Sequence, residues 1–132
     1  MEGTGSPSSE GALLDQGFDA ATLPQLREQV AACAAAAGMA KSRVPDIILA
    51  VHELAANAVR HGTGAGRLLM RAVGGALSCQ ISDAAPVRES WPLRQGHGLW
   101  IVREVADQFT MSCGPAGSQV TAVFRQPRQS NG

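Results

Sequence analysis

Residues 45–62 constrain the fold more than any other segment, because they carry the clearest helical pattern in the sequence. Pro45 and Asp46 suit the first turn of a helix, and the apolar residues that follow recur at helical spacing. Gly62 suits a C-terminal cap in the left-handed conformation. Because an amphipathic helix must bury its apolar stripe against other elements, the sequence predicts a packed domain built around this helix.

Periodicity and the positions of glycine and proline predict the other elements. In chain order they are a helix at residues 23–37, strands at 67–73 and 76–82, a helix at 98–109, and strands at 109–113 and 120–124. Gly38 ends the first of these helices, and Gly74-Gly75 forms a tight turn between two strands. The core stripe of the third helix consists of Leu99, Val102, Val105, Ala106 and Phe109.

The order of these elements joins most strands as hairpins, so the helices must share one face of the sheet. We therefore predict an α+β fold, a two-layer sandwich whose mixed, mostly antiparallel sheet is covered on one face by about three helices. The chain of 132 residues is long enough for one domain, which we place at residues 18–126. Residues 1–17 are rich in Gly, Ser and Pro and are expected to form a flexible tail, as are residues 127–132.

Composition excludes several classes of function. Eleven Lys and Arg residues balance eleven Asp and Glu residues, so no broad field attracts nucleic acid or an anionic membrane. No apolar run reaches the ~20 residues of a membrane span, and the N-terminus lacks the pattern of a signal peptide, so we expect a cytoplasmic protein. The three scattered cysteines predict neither a disulfide framework nor a zinc site.

A polar stripe runs along the helix at 45–62. Glu53, Asn57 and His61 stand at i, i+4 and i+8, with Arg60 beside His61. A carboxylate and a carboxamide one turn apart can supply a base and a hard oxygen ligand, which suits a site for metal and phosphate. The same spacing occurs on ordinary solvated helix faces, so taken alone it leaves both interpretations open.

Two other positions are candidates for binding. Asp83 follows a strand at the point where the chain leaves the sheet, and its carboxylate could accept a hydrogen bond from an exocyclic amine or from its own turn. Gly96, His97 and Gly98 open the third helix, where free N–H groups and the helix dipole attract phosphate. Arg94 lies just upstream and could pair with a terminal phosphate. Each feature alone is equally typical of an ordinary loop.

Together these motifs resemble the GHKL ATPase family, which has the Bergerat ATP-binding fold. The resemblance covers residues 18–124 and lies in the order of ELAANAVRHG, a strand ending in Asp83, GHGLWIV and a closing hairpin. Within the family the chain is most similar to the stand-alone anti-sigma factor serine/threonine protein kinases of bacteria. The resemblance implies ATP and Mg²⁺ as cofactors, a sigma factor and an anti-anti-sigma (STAS-domain) protein as partners, and often a homodimer.

The resemblance also implies roles for single residues. Glu53 corresponds to the general base that accepts the proton of an attacking hydroxyl, Asn57 to the residue that holds Mg²⁺, and Asp83 to the aspartate that binds the adenine amino group. Other positions that the resemblance places near the nucleotide are Arg60, Arg94, Gly96, His97, Gly98, Leu99 and Thr121.

The sequence departs from the family pattern in three places, one of which is the short lid at residues 84–95, where closure over ATP is expected to be partial. The family usually has DxGxG where this chain has Asp83-Ala84-Ala85-Pro86, and its C-terminal Gly-Thr pair is replaced by residues 117–121, GSQVT, where Thr121 is the expected substitute. These departures leave a second function open, a GHKL-type partner-binding regulator that binds nucleotide weakly or lacks catalysis. Trp100, between core positions of the third helix, would then either pack at an edge or contact a partner.

Overall fold

The computed structural model describes residues 11–84, 99–114 and 117–126. The strands and α-helices in these ranges are β1 (Ala12–Asp19), α1 (Leu23–Ala36), α2 (Val44–His61), β2 (Ala65–Val73), β3 (Ala76–Asp83), α3 (Leu99–Val105), β4 (Gln108–Gly114) and β5 (Gly117–Arg125). A short 3-10 helix, Ala20–Thr22, joins β1 to α1.

The strands form one sheet in the order β1-β2-β3-β5-β4, and every neighbouring pair is antiparallel. Alternate residues of β3 and β5 are buried, and these residues belong to the same core as the buried faces of α1 and α2. The helices therefore cover one face of the sheet, which confirms the predicted α+β sandwich. Within the described residues the sheet is antiparallel throughout rather than mixed.

Strand β1 corrects the prediction of an N-terminal tail. Residues 12–17, which we expected to be flexible, pair with β2 at the edge of the sheet. Asp15 forms an ion pair with Arg67 of β2 at 2.6 Å, and Phe18 is only 5% exposed and belongs to the core, so the strand is held by β2 and by the core. Residues 1–10 and the predicted C-terminal tail lie outside the described ranges.

Helices α1 and α2 lie close to their predicted bounds because proline occupies an N-terminal position in each of them. The β2–β3 hairpin also forms as predicted. Gly74 and Gly75 have φ values of 54° and 82°, and glycine favours such values in the two-residue turns that match the twist of paired strands.

Helix α3 ends four residues earlier than the stripe through Phe109 predicted, because the chain turns into β4 at Asp107. The backbone N–H of Asp107 donates to the Val123 carbonyl at 2.8 Å. Its carboxylate accepts hydrogen bonds from Arg43 at 2.7 Å and from the backbone N–H of Arg125 at 2.8 Å. Phe109 accordingly lies in β4, where it packs against the core as a strand residue.

Arg43 is the centre of a buried polar cluster. It lies just before α2, is 3% exposed, and donates to the Asp46 carboxylate at 2.9 Å and to the Val105 carbonyl at 3.2 Å as well as to Asp107. Its guanidinium also lies over the Phe124 ring, 5.3 Å from the centroid. These contacts tie the start of α2 to the end of α3 and to β5.

None of the helices in the described ranges is both long enough and apolar enough to cross a lipid bilayer.

Candidate functional site

Three buried polar side chains meet beside one pocket between the helices and the sheet. Asn57 on α2, Asp83 at the end of β3 and Ser118 at the start of β5 are 1%, 6% and 8% exposed. Asp83 and Ser118 are directly paired across β3 and β5. The pocket has an accessible volume of about 10 Å³, and its lining residues are Leu54, Asn57, Ala58, Ile81, Asp83, Leu99, Ser118 and Val120.

The Asp83 carboxylate is held by Thr63, two residues after the end of α2. The hydroxyl of Thr63 lies 3.2 Å from Asp83 Oδ1, and the Thr63 backbone N–H points to the same oxygen at a longer 3.4 Å. The hydroxyl also lies 3.2 Å from the Ala65 carbonyl oxygen. Asp83 is therefore tied to the α2–β2 connection and does not simply cap its own turn.

Two glycines allow the chain to approach Asp83 closely. A Cβ on Gly62 would lie 1.5 Å from Asp83 Oδ2 and 2.6 Å from the Ala58 carbonyl oxygen. A Cβ on Gly117 would lie 2.4 Å from the Asp83 carbonyl oxygen, and Gly117 has a φ of 141°. At both positions there is no room for a side chain larger than a hydrogen atom. Gly62 therefore packs against the carboxylate of Asp83, and Gly117 packs against its carbonyl oxygen.

The predicted left-handed cap at Gly62 is wrong. Gly62 has φ −106° and ψ −137°, which lies outside the left-handed region. Glycine is required here by the space that Asp83 occupies and not by its conformational freedom.

The polar stripe of α2 divides into buried and exposed parts. Asn57 is buried, Glu53 one turn earlier is half-buried, His61 is half-buried and Arg60 is exposed. The interpretation of the stripe as a solvated face is therefore wrong for Asn57, which is buried and lines the pocket. Of the other predicted residues, the structure brings Asp83 and Leu99 to the pocket.

Thr121 lies on the wrong side of β5 for this site. The buried residues of β5 are at positions 118, 120, 122 and 124, so Thr121 shares the uncovered face of the sheet with Gln119. Ser118, which was not among the predicted site residues, lines the pocket instead. Ser118 directly follows Gly117, so it occupies the second position of the Gly-Thr pair with a chemically similar side chain. That adjacency was the signal that could have identified it.

The predicted residues Arg94, Gly96, His97 and Gly98 lie outside the described ranges. Leu99, which follows them, is half-buried and lines the pocket, whereas its neighbour Trp100 is 66% exposed.

Comparison with known proteins identifies the family. The model of the histidine kinase-like ATPase domain matches residues 18–124. The chain belongs to this family. The match confirms the resemblance to GHKL ATPases that the motifs indicated, and membership in an ATPase family implies a nucleotide-binding site.

Solved structures show the same fold at low sequence identity. The structure of the RsbU and RsbW domains of Rv1364c from Mycobacterium tuberculosis has a TM-score of 0.64 at 16% identity, covering 90% of this chain and 34% of that one. The blue-light activated histidine kinase of Erythrobacter litoralis EL346 has a TM-score of 0.59 at 19% identity, covering 83% of this chain and 42% of that one. This chain thus spans less than half the length of either protein. The comparison with curated proteins found no match.

The chemistry of the lining residues, though not the volume of the pocket, suits an adenine nucleotide. Leu54, Ile81, Leu99 and Val120 give it apolar walls, against which a flat aromatic ring can pack. Asp83 supplies an acceptor-only group that matches an exocyclic amine, and Asn57 offers a carboxamide oxygen of the kind that Mg²⁺ accepts. The space that these residues enclose is about 10 Å³, enough for about one water molecule, so a base could pack between the apolar walls only if they separate.

Proposed function

We propose that this chain is an anti-sigma factor with serine/threonine protein kinase activity. It binds ATP with Mg²⁺ and transfers the γ-phosphoryl group to a serine of an anti-anti-sigma (STAS-domain) partner. When free of that partner it sequesters a sigma factor. Its place of action would be the cytoplasm, and a homodimer is the expected assembly.

The observation that carries the nucleotide part of this proposal is the meeting of Asn57, Asp83 and Ser118 beside one apolar pocket. Asp83 accepts the hydrogen bond of the adenine amino group, and the hydroxyl of Ser118 lies next to it on the paired strand. Asn57 holds Mg²⁺ through its carboxamide oxygen, and bound Mg²⁺ neutralises charge on the phosphates.

Glu53 supports the transfer part of the proposal. It lies one helical turn before Asn57 on α2 and is half-buried, so a carboxylate stands beside the place where the phosphates are expected. Glu53 accepts the proton of the serine hydroxyl as the serine oxygen bonds to the γ-phosphorus. The bond from that phosphorus to the bridging oxygen of ADP breaks, and ADP leaves.

The assignment of partners rests on the resemblance of the α2 motif ELAANAVRHG and the GHGLWIV segment to the anti-sigma kinases. One structural feature agrees with it. Trp100 is 66% exposed and directly follows Leu99 of the pocket, and exposed tryptophans are common anchors in protein interfaces. A partner bound there would lie at the rim of the nucleotide site.

A second candidate is a partner-binding regulator without catalysis. The observation that favours it is the sequence Asp83-Ala84-Ala85-Pro86, which lacks the glycines of the family motif. Such a protein would form the partner complex without phosphorylating its partner.

The test is incubation with labelled ATP, Mg²⁺ and a candidate STAS partner, compared among wild type, Glu53→Ala and Glu28→Ala. Glu28 is an exposed glutamate on α1, which makes it a matched control. We expect labelled serine with wild type and with Glu28→Ala, and none with Glu53→Ala. A stable complex that never acquires label supports the second candidate. If wild type binds no adenine nucleotide at millimolar concentration, the kinase proposal is refuted.

A further inference from the structure

We propose that Thr63 is a positioning residue that gives the site its selectivity for a purine with an exocyclic amino group. It acts through Asp83, whose carboxylate it holds in one orientation. This inference rests on the proposed nucleotide binding and assigns a role to a residue that lies outside the family motifs.

The geometry fixes both oxygens of the Asp83 carboxylate. Thr63 presents its hydroxyl at 3.2 Å and its backbone N–H at 3.4 Å to Oδ1. Oδ2 lies against Gly62, where a Cβ would be 1.5 Å away. Rotation of the carboxylate would therefore give up the contacts of Oδ1, and Oδ2 has its place beside residue 62 only because that residue has no side chain.

Orientation matters because an ionised carboxylate only accepts hydrogen bonds. A 6-amino purine offers the Asp83 carboxylate a hydrogen-bond donor. A 6-oxo purine has an acceptor at the same position, so its oxygen would face a carboxylate oxygen with no hydrogen between them. A site whose acceptor cannot move discriminates strongly against a 6-oxo purine, because the buried carboxylate and the purine oxygen would then both lack a hydrogen bond. A carboxylate that can turn away lowers this penalty and so weakens the discrimination.

The sequence around Asp83 makes this support necessary. The family pattern DxGxG places glycines two and four residues after the aspartate, whereas this chain continues with Ala84, Ala85 and Pro86. The close contacts that define Asp83 come instead from other elements, namely Thr63 and Gly62 after α2 and Gly117 at the start of β5. Of these three, Thr63 is the one that contributes hydrogen bonds to the carboxylate.

Substitution of Thr63 is expected to change nucleotide binding without changing the stability of the fold. It is exposed as a whole, so substitution removes little buried apolar surface, while its polar atoms still reach Asp83. Thr63→Ala and Thr63→Val remove the hydroxyl, Thr63→Ser keeps it, and Thr110→Ala is a matched control because Thr110 is an exposed threonine of β4.

The experiment measures the dissociation constants of ADP and inosine diphosphate, with Mg²⁺, by calorimetry for each variant, together with the melting temperature. We expect wild type to prefer ADP. Thr63→Ala and Thr63→Val should weaken ADP binding about tenfold, or ~1.4 kcal/mol, and narrow the preference for ADP over inosine diphosphate. Thr63→Ser and Thr110→Ala should keep the wild-type preference, and no variant should change the melting temperature appreciably.

The outcomes distinguish the two proposals. If wild type binds neither nucleotide, the proposed function itself fails. If wild type binds ADP and Thr63→Ala keeps both the affinity and the preference, the role of Thr63 is refuted while nucleotide binding stands. Equal weakening of both nucleotides, or failure of Thr63→Ser to restore the preference, also refutes it, because a merely structural residue would behave in that way.

Discussion

Two aspartate–arginine pairs of almost equal length allow the effect of burial on ion-pair strength to be measured within one protein. Asp107 lies 2.7 Å from Arg43, and Asp15 lies 2.6 Å from Arg67. The side chains of the first pair are 15% and 4% exposed, whereas those of the second are 29% and 62% exposed. We predict that Asp107→Ala destabilises the fold far more than Asp15→Ala.

The magnitudes follow from what each substitution leaves behind. Asp107→Ala leaves the Arg43 guanidinium buried with Asp46 as its remaining carboxylate, and it removes the acceptor of the Arg125 backbone N–H. Breaking a buried pair in this way costs ~3–5 kcal/mol. Asp15→Ala removes a mostly exposed pair, which is worth ~0–1 kcal/mol. Since domains are stable by only ~5–15 kcal/mol, the first loss is a large fraction of the total.

The assay is urea denaturation of wild type and both variants at low and high salt, with the free energy of unfolding extrapolated to water. Salt should reduce the effect of Asp15→Ala and leave that of Asp107→Ala nearly unchanged, because screening acts mainly on exposed charges. Equal losses in the two variants, or a loss below ~1 kcal/mol for Asp107→Ala, would contradict this account of the cluster around Arg43.

Three further predictions concern the pocket and the core. Ser118→Ala should weaken adenine nucleotide binding, measured by calorimetry. Thr121→Val, on the opposite face of β5, should leave binding unchanged. The reverse result would mean that the faces of the strand are wrongly assigned. Gly62→Ala should abolish nucleotide binding because its Cβ displaces the neighbouring carboxylate, whereas Gly17→Ala meets only an ordinary contact at 3.8 Å and should bind normally. Burial raises the pKa of the Cys79 thiol, so the folded state favours the protonated form, and stability should fall as pH rises above the ~8.5 of an unfolded thiol. In a variant with serine at the other two cysteines, a thiol reagent should label Cys79 only at the rate of global unfolding, and fast labelling would show that this strand is accessible.

Local signals were sufficient to predict most of the fold. Proline at the start of α1 and α2 and paired glycines in the β2–β3 hairpin act within a few residues, so they can be recognised in the sequence. Strand β1 could not be predicted in this way. Its formation depends on Arg67 and on β2, more than 45 residues away, while its flanking sequence is typical of a tail. The local composition of an edge strand therefore gives little indication that it pairs with a distant strand.

The site residues divide in the same way, into those that a local motif predicts and those that only contacts in the structure identify. The motif on α2 predicted Asn57, and its burial agrees with a functional position. The choice of Thr121 over Ser118 was wrong because the sequence gives the alternation along a strand but not which of its two faces the helices cover. Thr63 carries no motif, and only the contact with Asp83 identifies it.

The position of β3 in the sheet has a consequence for dynamics. It is hydrogen-bonded along both sides, to β2 and to β5, and Asp83 is its last residue. Amide protons in such a central strand exchange with solvent only through large opening events, so β3 should be among the slowest segments in a hydrogen-exchange experiment. A ligand would then meet a group that is already ordered before it arrives, and association would require little loss of motion on this side of the site.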